Sequence, residues 1–252
     1  MIPVGSLDYA QARMQSRIGR RPGDSTWSAI EHAREADTLI DLARDTTLQA
    51  PLAQLGQRRE IHAVELGLRL HWRGAVEELA LWMPECWRPA LRWCKSLPYL
   101  PLLSHWAAGR HISDWMRADP VCHELLNSAA PSIPSQHEFA PLAAALERPA
   151  TLAAAWGHEF VLRLPPAARQ AAELQAVSQL VTDYYSRAVL VAGTEGLRLR
   201  RRFDARLLAS FRRHAIEPMA AFAYLGLSAL DLERLRGELV LRLALPTRSF
   251  AS

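Results

Sequence analysis

The sequence predicts an all-α fold, and three observations carry that prediction. Alternating runs of β-branched residues are missing, neither Asn-Gly nor Asp-Gly occurs to mark a hairpin, and apolar residues recur at helical spacing along most of the chain. The 252 residues are half apolar and 22% charged, which excludes disorder, collagen and a disulfide-stapled miniprotein. A chain of this length removes about 70–75% of its unfolded surface from water, enough for one large core or two to three smaller helical lobes.

The elements follow in order. Asp8 to Gly19 predicts a first helix, capped by Ser6 and stopped at Gly19 ahead of Pro22. Ser25 to Ala43 predicts a second, with Ser25 as cap, although Ile30, Ala33, Asp37 and Ile40 give it a mixed face. From Arg58 to Trp82 runs the longest periodic stretch, built on Ile61, Val64, Leu68, Ala75, Leu79 and Trp82, with Gly74 as a candidate kink or close approach. Pro84 ends it, and shorter helices are expected over Trp87 to Lys95 and Tyr99 to Gly109.

Asn127 to Pro141, with Pro131, Pro134 and Pro141, reads as a linker whose Ser, Pro and Gln residues form no core. It divides the chain into an N-terminal helical region, residues 1–126, a Pro/Ser linker, 127–141, and a C-terminal helical region, 142–252. In the second half of the chain, Ala140 to Leu164 reads as helical around Pro149, and Pro165-Pro166 starts a long helix through Val191 that Gly193 and Gly196 break. Leu197 to His214 is an arginine-rich helix, and Glu217 to Leu243 holds one or two more. About ten helices are expected, without a repeat of fixed period.

The net charge is +4, and of the 30 basic residues only Lys95 is a lysine. A basic balance favours acidic partners, but so complete a replacement of lysine by arginine resembles a compositional bias of the coding sequence. Three cysteines, Cys86, Cys94 and Cys122, form no paired framework and point to a reducing compartment. The opening Met1 to Ser6 has no charged or apolar leader pattern, and the longest apolar stretches fall short of the ~20 residues of a membrane span. A cytoplasmic protein that meets a membrane only through another protein is the expectation.

Catalytic and cofactor chemistry finds no foothold. No Cys-x-x-Cys occurs, and His123-Glu124, His137-Glu138 and His158-Glu159 never continue to the second histidine of a zinc helix, so no metal is expected. Gly193 to Gly196 lacks the lysine and preceding strand of a phosphate loop, and no Gly-x-Ser-x-Gly elbow is present. The dense feature is the run Arg198, Arg200, Arg201, Arg202, Arg206, Arg212 and Arg213. On a helix, Arg198, Arg202 and Arg206 share a face that suits carboxylates or phosphate; a solvated face neutralised by Asp204 and Glu217 is the plainer reading. Arg198, Arg201, Arg202, Arg206 and Arg213 are the candidate partner-binding residues, and nucleic acid is the disfavoured partner. Six tryptophans, from Trp72 to Trp115, belong mostly to a core, while one or two exposed ones would suit a protein interface. An interaction protein is expected rather than an enzyme.

Two segments carry a family resemblance. Leu7 to Arg17 reads Leu-Asp-Tyr-Ala-Gln-Ala-Arg-Met-Gln-Ser-Arg and is followed by a helix ending Leu42-Ala43-Arg44-Asp45-Thr46-Thr47; Ile216 to Leu225 is followed by Asp231-Leu232-Glu233-Arg234-Leu235-Arg236. Together they resemble the opening and closing patterns of the C-type central-stalk family of A- and V-type rotary ATPases, d-type in eukaryotes. On that pattern Tyr9, Arg13, Arg17, Asp231 and Arg236 match motif positions, whereas Arg234 stands where asparagine is usual and Leu48 replaces an aromatic. The segments cover about 70 residues of a chain shorter than is usual in the family, which implies a diverged or shortened member.

The resemblance implies a multi-helix funnel of about three helical lobes. It implies no catalytic residues, no cofactor and no small-molecule substrate. The partners it implies are the rotor shaft subunits and the membrane proteolipid ring, with the chain peripheral on the inner face of the membrane and coupling the two during ion transport.

Overall fold

The computed structural model describes residues 4–55, 60–127, 131–188 and 194–244. They form thirteen α-helices and five short 3-10 stretches, with no strand among the described residues. The N-terminal quarter holds α1 (Leu7–Ile18), α2 (Asp24–His32), α3 (Ala36–Ala43) and α4 (Gln49–Leu55). The long α5 (Ile61–Trp82) leads into α6 (Arg88–Trp93), α7 (Leu100–Ala107), α8 (Asp114–Arg117) and α9 (His123–Leu126). The C-terminal part contains α10 (Leu152–Arg163), α11 (Ala172–Ala188), α12 (Thr194–Arg213) and α13 (Pro218–Ala244).

Helix α1 starts where Ser6 accepts a hydrogen bond from the Tyr9 amide at 3.2 Å, which satisfies one of the free amides of the first turn, and it stops at Gly19. The single helix expected over Ser25 to Ala43 is two helices, with Ala33 extended between them and Gly23 rather than Ser25 at the cap position. The break has a geometric cause. Ile30 and Leu39 both enter one small core, yet on a straight helix nine residues apart they would point about 180° from each other. The mixed face of the sequence is thus two apolar faces that a turn brings to the same side.

Gly74 does not kink α5, which runs unbroken, and Gly196 lies inside α12 rather than breaking the chain; Gly193 and the residues 189–191 fall outside the described residues. Around Pro149 the chain is 3-10 helix over Ala140–Glu147 and Pro149–Thr151 before α10 begins. Proline removes an amide and pushes the preceding Arg148 out of helical geometry, so a continuous helix there fails. Glu217 to Leu243 resolves into one helix, α13, about 40 Å long.

Two apolar clusters hold these helices. The smaller gathers Trp27, Ile30, Leu39, Leu48, Leu52, Val64, Leu68, Leu235 and Leu239; the larger runs from Ala10 and Met14 through Trp72, Leu79, Trp93, Tyr99, Phe139, Trp156 and Phe160 to Phe222 and Leu230. Helices α5 and α13 belong to both. The start of α5 and the end of α13 lie in the small cluster and their other ends in the large one, so they pack antiparallel as a common spine. The segment expected to be a coreless linker contributes Ile133 and Phe139 to the large core, where Phe139 packs on Tyr99 with ring centroids 5.3 Å apart. Ser132, Ser135, Gln136 and Glu138 are exposed while these two apolar side chains anchor it, and the core continues across it from the N-terminal to the C-terminal region.

Candidate functional site

Three features of this scaffold present chemistry: a charged node at the foot of α1, an apolar cleft beside the spine, and the outer face of α12. The node begins with the arginines of α1. Arg13 and Arg17 lie over the Trp82 ring, 5.1 and 4.8 Å from its centroid, and Arg17 also donates two hydrogen bonds to Glu78 on α5, at 2.7 and 2.8 Å. Tyr9, on the same helix, packs partly buried against the large core. These two arginines of α1 are therefore held by one tryptophan and one carboxylate of the spine.

Just past the end of α1, Arg21 donates from Nε and Nη2 to Asp231 on α13, at 2.6 and 2.9 Å, and reaches Asp204 on α12 through Nη2 as well. Burial works against the charge of Arg21, but the two carboxylates more than offset it and raise its pKa. Asp231 responds the other way: its burial, helped by the neighbouring charge of Asp204, pushes the carboxyl up to about 6 against the pull of Arg21. One guanidinium shared by two carboxylates leaves the buried carboxyl easier to protonate than an ordinary aspartate. Beside this node lies a cavity of about 310 Å³ lined by Arg17, Arg21, His71, Tyr224, Ser228 and Asp231. His71 has its pKa lowered by burial and by Arg17.

Asp231 and Arg236, the two motif positions of α13, do not meet. Arg236 donates to Glu65 on α5 at 2.5 Å, while Asp231 is taken by Arg21. The partners Arg21, Asp204, Glu65 and Glu78 do not stand out in the sequence as a site, because they are brought together across up to 210 intervening positions and no local spacing marks them. Arg234, where the family pattern has asparagine, lies 4.3 Å from the Trp27 ring and pairs with Glu31 on α2.

The apolar cleft, about 420 Å³, opens between α5, α10, α11, α12 and α13 and is lined by Trp72, Trp156, Phe160, Leu180, Phe203 and Phe222, among others. Four charged residues also line it: Glu65, Arg69, Glu233 and Arg236. Arg69 lies over the rings of Trp115 and Tyr99, at 4.6 and 5.5 Å, and 3.7 Å from the fully buried Asp119. Of the six tryptophans between 72 and 115, four are buried, and Trp87 and Trp115 are half-buried against Phe222 and His62. None stands out as an exposed anchor.

The third feature is the arginine run. Asp204 pairs with Arg21, Glu217 with His214, and Glu233 with Arg200 at 3.8 Å. The acidic residues expected to neutralise the run are thus engaged elsewhere. Arg198, Arg201, Arg202, Arg206, Arg212 and Arg213 are exposed, and Arg200 alone turns inward.

One of the His-Glu pairs, His137-Glu138, is held by structural partners. His137 donates to the Val121 carbonyl at 3.0 Å and accepts from the Phe139 amide at 3.1 Å, and Glu138 binds Arg73. Among the described residues no group of three or more His, Cys, Asp or Glu could hold a metal ion, and no helix is long and apolar enough to cross a membrane. In comparisons with protein-family models, curated proteins and solved structures, none matches this chain.

Proposed function

We propose that this chain is a non-catalytic central-stalk subunit of an A- or V-type rotary ATPase, coupling the rotor shaft to the membrane proteolipid ring. One observation carries the reading. The two segments that resemble the family lie at opposite ends of the chain, yet they form α1 and α13, which pack against each other and are tied by Arg21 and Asp231. Motif positions that share one structural unit support a common origin better than two isolated matches do.

The physics of the task agrees with what the surface offers. Torque passes through broad complementary contacts rather than through a reactive pocket, and this reading seats the foot of the shaft at the mouth of the apolar cleft. The protein would then lie on the cytoplasmic face of the membrane through its complex. A second reading, an arginine-rich helical adaptor for nucleic acid or another acidic partner, is favoured by the six exposed arginines of α12.

The test is an affinity pull-down of the tagged protein from its own membranes in mild detergent, with mass spectrometry of the co-purifying chains. Recovery of the proteolipid of the ring together with shaft subunits supports the rotor reading. Recovery of nucleic-acid-associated proteins without either removes it in favour of the adaptor.

A further inference from the structure

We propose that the outer face of α12 docks an acidic α-helix of a partner protein whose carboxylates recur at i, i+4 spacing. The inference does not depend on the rotor reading, because it names the partner by its chemistry alone.

The argument starts from helical geometry. At 100° per residue, Arg198, Arg201, Arg202, Arg206, Arg212 and Arg213 fall within an arc of about 140° and span about 22 Å along the axis. Between positions 198 and 213 the only other residues on that arc are Ala205 and Ala209, both exposed. No carboxylate interrupts it, and none of the six arginines forms a side-chain ion pair or hydrogen bond among the described residues. Most of the arginines of α1, the turn after it and the spine do the opposite, since Arg17, Arg21, Arg73, Arg234 and Arg236 are each paired with a carboxylate. Like charges at i, i+4 destabilise a helix, so this face stores repulsion that an acidic partner relieves.

The shape of the face selects among acidic partners. It is a single strip one helix wide, and its small alanines let another backbone come close. Arg198, Arg202 and Arg206 rise about 6 Å per step, the same rise as carboxylates at i, i+4 on a facing helix. A guanidinium also matches a carboxylate with two parallel hydrogen bonds. A nucleic-acid duplex calls for a wider basic footprint, and Arg21, which reaches α12 at Asp204, is taken up there and by Asp231. An amphipathic helix that binds a bilayer inserts its apolar face, but here Leu207 and Phe211 are buried in the large core. The strip therefore fits an acidic helix better than either.

The experiment measures anisotropy of a fluorescent alanine-based peptide of about 20 residues bearing glutamates at i, i+4 spacing. Its comparators are an isomer with the same glutamates spread around the helix, a DNA duplex, and vesicles of anionic phosphatidylglycerol. The protein is the full chain, as wild type, as Arg198→Gln/Arg202→Gln/Arg206→Gln, and as the charge-matched control Arg34→Gln/Arg110→Gln/Arg148→Gln, whose three arginines are also exposed. The expected result is tighter binding of the i, i+4 peptide than of any comparator. That binding weakens by about tenfold or more in the α12 variant, stays unchanged in the control, and falls steeply with salt. Equal binding of the two peptides, tighter binding of duplex or vesicles, or equal losses in both variants would overturn the proposal. The peptide comparison needs only wild-type protein, so equal binding of the two peptides overturns the proposal even if the α12 variant misfolds, which circular dichroism detects.

Discussion

Arg21 holds Asp231 through two hydrogen bonds, at 2.6 and 2.9 Å, and so joins the end of α1 to the middle of α13 across 210 positions of sequence. Asp204 of α12 binds the same guanidinium, which makes this one side chain the tie between three helices. Removing one member of a buried pair leaves the other charge without compensation. Arg21→Ala is expected to lower stability by about 3 kcal/mol near neutral pH, measured by denaturant unfolding. The pH dependence follows from the raised carboxyl. A folded pKa of about 6 lies above the ordinary 3.8 of the unfolded chain, so protonation of Asp231 favours the folded state. That contribution is complete below the unfolded value and is lost as pH rises through 6. The cost of Arg21→Ala should therefore shrink on acidification toward about pH 5, where Asp231 carries a proton. A cost that is flat or grows over that interval would contradict the assignment.

Arg236 has a different carboxylate from the one its position in the sequence suggests. Its partner is Glu65 of α5, which is buried, whereas the Arg236 side chain is 52% exposed and water screens the pair. Arg236→Ala is expected to cost about 1 kcal/mol, most of it from the carboxylate left behind. In a Glu65→Gln background the same substitution should cost much less, so a double-mutant cycle measures the coupling. An unchanged melting temperature for Arg236→Ala would remove the structural role of this motif arginine.

What the sequence made legible depended on distance along the chain. The α1 cap at Ser6, the stop at Gly19, the body of α5 and the arginine-rich α12 follow from spacing and local chemistry, and they lie where the pattern put them. The division of Ser25 to Ala43 was visible only as a mixed face, because its cause is a shared core to which Leu48, Val64 and Leu239 also belong. Phe139 looked like part of a coreless stretch because its neighbours are polar, and its burial depends on Tyr99, forty positions away. The node fails to show in sequence for the same reason: a salt bridge between residues 21 and 231 has no periodicity. The exposed face of α12 is the converse case. Its arginines could be grouped from spacing alone, but only the structure assigns Asp204 and Glu217 to other partners.

The one lysine, Lys95, shares Glu77 with Arg92, at 2.6 and 2.7 Å, and so fixes α5 to the stretch around α6. Hydrogen bonds from Arg92 and Lys95 hold the Glu77 carboxyl well below its ordinary 4.5, at about 2. A lowered folded pKa means that the unfolded chain takes up the proton first, so the contribution is complete above 4.5 and is lost as pH falls toward 2. Glu77→Gln is thus expected to lower the melting temperature by a constant amount over about pH 6–8 and by progressively less below about pH 4.5. Melting curves of both proteins across that range make the check, and a difference that widens in acid would count against it.

Ile216 adopts a φ of 66°, in the left-handed region, in the turn that joins α12 to α13. A β-branched side chain is strained there by contact with its own backbone, at a cost of about 1–2 kcal/mol. The conformation is nevertheless used: the Ile216 amide donates to Gln11 of α1 at 3.3 Å, which ties this turn to the first helix. The side chain gives little in return, being 53% exposed. Ile216→Gly keeps the amide and removes the strain, and it loses only modest burial and some chain entropy in the unfolded state. The variant is expected to be more stable by about 1 kcal/mol in denaturant unfolding, net of that entropy. Ile216→Val retains the branch at Cβ, and with it the strain, so it should show no gain. Equal stability of the glycine and valine variants would mean that the turn relaxes without strain and that Gln11 does not hold it.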